Sequence, residues 1–150
     1  MKKRKKPESR EELLLAVLAS APERSMTPVQ VQKAMFVLAQ EVSAQLPTKF
    51  YAFEKYNYGP FCQALYNDLG ILAAQDLVAI EQPLLSRVRI YRATDAGAAK
   101  GEACVRAWDN SLGEYVKAVS EWVTSLSFPD LVRAIYRKYP AYKVNSIFSG

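Results

Sequence analysis

Three helix starts are legible in this chain, and they constrain its architecture more than any other feature. Ser9-Arg10-Glu11-Glu12 fits a capping box, in which the Ser hydroxyl accepts from the third helical N–H and the Glu reaches back. Thr27-Pro28-Val29-Gln30 repeats the pattern, with Pro at a first helical position that has no N–H to lose. Ser127-Phe128-Pro129-Asp130 is a third, weaker version. They predict helices over about 10–20, 28–45 and 128–139. On the second, Val31, Ala34, Met35, Leu38 and Val42 recur on one face at helical spacing.

Between these anchors the period changes. Gly59 and Pro60 read as the cap and first residue of a third helix running to about Ala74, with Phe61, Leu65, Leu69 and Leu72 on one face. DLVAIEQ, a short PLLS connection and RVRIYRAT then read as a β-hairpin rich in β-branched and aromatic residues. On its second arm Arg87, Arg89 and Tyr91 share one face, and Val88, Ile90 and Arg92 the other. A long helix is expected over about 101–126. Val105, Trp108, Leu112, Tyr115, Val119, Trp122 and Leu126 form an alternating seam along it. A homodimer would use that seam. Val116 and Val123 widen it, so packing on the chain's own helices explains it equally well. The fold class is therefore mainly α with a small β-hairpin: a winged helix-turn-helix-like core with a long C-terminal helical extension. We divide the chain into a disordered basic tail, 1–8, and one domain, 9–150.

Charge sharpens this division. Residues 1–10 hold six of the 20 Lys and Arg and one of the 15 acids, leaving 14 positive and 14 negative charges for the remainder. The net charge of +5 thus belongs to the tail, and the body is balanced. LLLAVLASA behind basic residues imitates a secretory leader, but Glu11 and Glu12 intervene where a leader avoids acids. A cytoplasmic location is the expectation. No apolar run approaches the roughly 20 residues that span a bilayer.

The chain has no histidine, which removes imidazole acid–base chemistry and imidazole metal sites. Cys62 and Cys104 have no metal-site spacing and read as buried free thiols. An enzyme would have to work with Lys55, Tyr56, Tyr58 and Asp68, which the spacing does not gather. We expect no catalytic residue, no metal and no cofactor.

VQKAMFVLAQ (31–40), the YGP at 58–60, YRATDAG (91–97) and LVRAIYRKYPAYKVNS (131–146) together resemble the YwgA-like family. More distantly the chain is similar to the SocA-like antitoxin domain called Panacea. The resemblance covers most of the chain from about residue 10. It implies a small bacterial or prophage protein without catalytic residues. It also implies an antitoxin-like or adaptor-like role, by direct contact with a protein partner such as a cognate toxin.

Two readings remain open. In the first the chain is a protein-binding module, and Tyr56, Tyr58, Gly59, Pro60 and Tyr66 edge the binding surface. FCQALYNDLGILAAQ supports it, because this helix has no Lys or Arg to neutralise phosphate. In the second the chain is a DNA-binding winged-helix regulator, with Lys55, Arg87, Arg89 and Arg92 along the backbone.

Overall fold

The computed structural model describes residues 6–143. The basic run at 1–5 and the last three residues of the closing motif, 144–146, lie outside the described residues. The elements run α1 (Arg10–Ala19), β1 (Ser25–Met26), α2 (Pro28–Glu41), β2 (Glu54–Tyr56), β3 (Gly59–Phe61), α3 (Gln63–Ala74), β4 (Val78–Glu81), β5 (Ile90–Ala93), α4 (Asp95–Ala107), α5 (Asn110–Ser125) and α6 (Phe128–Lys138). The chain is mainly helical, with two small antiparallel sheets, ordered β1-β5-β4 and β2-β3.

At all three capping-box starts the Ser or Thr side chain caps its helix. The Gln30 N–H donates to Thr27 Oγ1 and the Thr27 N–H donates to Gln30 Oε1, closing a reciprocal box. Ser9 accepts from the Glu12 N–H, while Glu12 Oε1 accepts from Glu8, one residue before the cap. Ser127 accepts from the Asp130 N–H.

Helix α1 is the centre of the core. Leu13 through Leu18 are buried without interruption, so beyond its charged first turn the helix has no polar face. A helix apolar all round must be covered all round. Here α4 packs on it most extensively, and α2, α3, α5 and β5 complete the cover. Ser120 on α5 is wholly buried and donates its hydroxyl to the Val17 carbonyl at 2.7 Å. Approach by α4 is close enough to require a glycine. A Cβ at Gly101 would stand 2.6 Å from the Leu15 carbonyl oxygen.

Several expectations need correction. The single helix over 101–126 is two helices, broken at Trp108 and Asp109. Trp108 is buried with extended backbone, and Asp109 caps α5 through the Ser111 N–H. The alternating seam is therefore not continuous. Leu112, Val116, Val119 and Val123 face the chain's own core, while Trp122 stays exposed. Tyr115, Ala118 and Trp122 instead line a groove of about 270 Å³ with Val37, Val119 and Lys138. Gly59 and Pro60 do not start α3; they belong to β3, and Cys62 is the N-cap. Leu65, Leu69 and Leu72 are buried as the periodicity requires. The hairpin strands are shorter than expected, so Arg87 and Arg89 lie in the loop between β4 and β5. A third strand, β1, pairs with β5 and was too short to be read from a pattern.

Replacing Gly101 by Ala should cost about 1–3 kcal/mol, because the added methyl meets backbone that cannot yield. A urea titration of the variant checks this; unchanged stability would mean that α1 and α4 separate freely.

Candidate functional site

The β2-β3 ribbon and its mount form the site. Asn57 and Tyr58 make the turn, pairing Tyr56 with Gly59, Lys55 with Pro60 and Glu54 with Phe61. Gly59 has φ +111°, a region that L side chains rarely enter. A side chain here would also press on Lys33 Nζ at 3.2 Å and the Tyr136 ring at 3.4 Å. Glycine is thus needed for the turn itself rather than for a helix cap. Pro60 has no N–H to give the ladder, and it stands opposite exposed Lys55 in a two-stranded sheet, where that loss is tolerated.

Two consecutive buried polar residues of α2 hold the ribbon. The Gln32 side chain accepts from the Cys62 N–H and donates to the Cys62 carbonyl, both at 2.9 Å. Lys33, only 3% exposed, donates to the Pro60 carbonyl at 3.5 Å. Burial lowers the Lys33 amine to about 8 from an ordinary 10.5. The Gln-Lys pair in VQKAMF and the Tyr-Gly-Pro turn are therefore one device, joined by these bonds.

A second buried cluster fixes the approach to the ribbon. Asp68 of α3 is 4% exposed and pairs with Arg10 at 3.0 Å, while the Tyr51 hydroxyl donates to it at 2.5 Å. The Arg10 guanidinium also lies 4.5 Å from the Tyr51 ring centroid. Burial, then the hydrogen bond to Asp68, raises the Tyr51 phenol well above its usual value. Asp68 is therefore inside the fold and adds no charge to the outer face of α3. That face, with Gln63, Asn67, Gly70, Ile71 and Ala74 exposed, is free of charge.

The site residues divide by exposure. Tyr56 is 51% exposed and Tyr58 41%, whereas Gly59 and Pro60 are buried and Tyr66 is half-buried. Tyr56 stacks on Phe61 at 5.0 Å, Phe61 meets Tyr66 at 5.6 Å, and Tyr66 stacks on Tyr91 at 6.1 Å. Tyr58 meets Phe128, itself 42% exposed, at 5.5 Å. An aromatic row thus runs from the ribbon across α3 to β5. Burial raises the Tyr66 phenol to about 12, partly countered by a hydrogen bond from Gln32 and the charge of Arg89. Phe61 and Phe128 are additions the sequence reading did not make.

The basic residues of the alternative reading fall on β2, the β4-β5 loop and β5. Lys55 is exposed on β2. Arg92 is committed to structure: it grips Glu81 through two bonds at 3.0 and 3.1 Å and donates to the Glu23 carbonyl at 2.7 Å. Arg87 and Arg89 are exposed. Among the described residues no group of three or more candidate ligands could hold a metal, and no helix is long and apolar enough to cross a membrane. Comparison with protein-family models, curated proteins and solved structures found no match to the chain. The family resemblance rests on the motifs that carry it.

Gln32→Ala should destabilise the fold by about 2–4 kcal/mol, because it strands two buried backbone groups at Cys62. Denaturant unfolding measures this, and a cost below about half a kcal/mol would mean that the ribbon is not held by α2. Lys33→Met should instead stabilise the protein by about 1–3 kcal/mol at pH 7, because the cost of the buried charge outweighs the long hydrogen bond lost at Pro60. The folded amine titrates near 8 and the unfolded one near 10.5, so the unfolded state binds more protons in that interval. Wild-type stability therefore gains on the variant from pH 8 upward, and the gap should close by about pH 10.5. A gap that stays constant with pH would show that the amine is already hydrated.

Proposed function

We propose that this chain is a non-catalytic protein-binding module, antitoxin-like or adaptor-like, that acts by direct contact with a protein partner. The observation that carries this reading is the exposure of Tyr56 and Tyr58 on a ribbon whose backbone is clamped by Gln32 and Lys33. Tyrosines offer large amphipathic contact area, and a fixed mount lowers the ordering cost of binding. Gly59 and Pro60 shape the turn from beneath, and Tyr66 supports the row through Phe61. The uncharged outer face of α3 favours a protein over a polyanion at the same place.

A DNA-binding regulator is the second reading, and one observation favours it. β1 lies between the first two helices, the β4-β5 hairpin follows the third, and the sheet runs β1-β5-β4. That order supports a winged helix-turn-helix-like core over residues 10–93, with α4 to α6 as its extension. Arg87 and Arg89 would then lie along phosphates from the wing.

The test is a tagged pull-down from the native host with nuclease-treated and untreated lysate side by side, using wild type and Tyr58→Ala. A stoichiometric protein that survives nuclease, and binds Tyr58→Ala about tenfold or more weakly, is the expected result. The variant should melt within a few degrees of wild type, because Tyr58 is at the surface. Recovery of DNA, with protein lost after nuclease treatment, would move the assignment to the regulator.

A further inference from the structure

The loop between β4 and β5, residues 82–89, carries two leucines almost wholly in water: Leu84 is 97% and Leu85 98% exposed. The loop has a defined internal structure. Gln82 donates to the Ser86 carbonyl, the Ser86 N–H donates to the Pro83 carbonyl, and the Val88 N–H donates to Ser86 Oγ. Its turn therefore holds both leucines outward. Val88 is 47% exposed, and Ile80 and Ile71, on β4 and α3, are 43% and 52% exposed. Among the described residues, more than half of the exposed large hydrophobic side chains thus belong to α3, β4 and this one loop. A soluble surface rarely gathers apolar side chains in this way without a use for them.

Charge narrows the occupant. QPLLSRVR contains two arginines and no acid. Both arginines are exposed, and neither forms an ion pair with a described residue. A complementary partner therefore offers carboxylates around an apolar centre. A bilayer would gain only two leucines from a single loop, which gives marginal anchorage. A nucleic acid would meet α3, whose outer face has no cation to place against its phosphates. An acidic, apolar protein segment satisfies both the leucines and the arginines.

We propose that the tip of the β4-β5 loop is a docking element for a partner protein segment that combines apolar side chains with Asp or Glu. Leu84 and Leu85 enter the apolar part, and Arg87 and Arg89 meet the carboxylates. This rests on the reading of the chain as a protein-binding module and adds a second contact surface to the tyrosine ribbon. The two surfaces are linked through α3: Tyr66 joins Phe61 of the ribbon to Tyr91 of β5, and the charge of Arg89 reaches the Tyr66 hydroxyl.

The test uses the full chain and a displayed library of random linear peptides as the probe. Enriched peptides are synthesised, and their affinities are measured against wild type, Leu84→Ser/Leu85→Ser, Arg87→Gln/Arg89→Gln and Tyr58→Ala. The expected peptides pair apolar residues with Asp or Glu. The leucine variant should bind them at least about tenfold more weakly, and the arginine variant should lose about threefold to tenfold together with most of the salt dependence. Both variants should keep the wild-type melting temperature, because the altered side chains are exposed. Peptides that bind the leucine variant unimpaired overturn the proposal, and an empty selection does the same. If those peptides are lost only with Tyr58→Ala, the loop proposal falls and the ribbon reading stands. Phosphatidylserine vesicles and a random DNA duplex serve as parallel probes. Leucine-dependent binding to either, without peptide binding, overturns the proposal in favour of a bilayer or a nucleic acid.

Discussion

A ribbon with three residues in each strand does not hold itself together in water. This one persists because Gln32 takes the place of solvent for both backbone groups of Cys62, while Lys33 reaches the Pro60 carbonyl. Everything proposed for the ribbon depends on that arrangement. The turn at Asn57 and Tyr58 has its shape because Gly59 takes a conformation open to glycine, directly over the buried lysine. Tyr56 and Tyr58 therefore stand on backbone that is tied to α2, and ordering that backbone in advance lowers the cost of binding.

The two buried charged groups of the core are treated in opposite ways. Asp68 has a guanidinium and a phenol as partners, so its burial is compensated by strong, charge-assisted bonds. Among the described residues Lys33 has no carboxylate as a hydrogen-bond or ion-pair partner, only a carbonyl at the edge of bonding distance. Such a cation weakens the fold at neutral pH, and the surrounding apolar core has to offset it. Asp68 ties α1 and the segment before β2 to α3, whereas Lys33 ties the ribbon to α2. The site thus stands on two supports, one robust and one sensitive to protonation.

The helices with caps were legible in the sequence, because a cap is a local bargain between a side chain and nearby N–H groups. Thr27 with Gln30 shows this most fully. What escaped was decided at longer range. Trp108 fits a helical seam by spacing, yet α4 ends there because the tryptophan is drawn into the core and Asp109 starts a new helix. Gly59-Pro60 is a plausible helix entry by residue type. The ribbon wins because Gln32 and Lys33, about thirty residues upstream, supply partners that no local pattern reveals. Of the site, Tyr56, Tyr58 and the Tyr-Gly-Pro turn could be picked out from the sequence, but not the bonds that join it to Gln32 and Lys33. Phe128 could not, since it reaches Tyr58 from a distant helix. Leu84 and Leu85 were visible as letters, but only the structure shows that nothing covers them.

The burial of α1 on every side has a consequence for how the chain is made. Val17 of this helix bonds to Ser120, 103 positions later. At about 5–20 residues per second, this last part of its cover follows the helix by on the order of ten seconds. Until then LLLAVL is covered only in part, by the α2, α3, β5 and α4 segments that precede α5. Transiently exposed apolar surface favours aggregation, so the order in which the cover is made matters for folding alongside the stability of the finished fold.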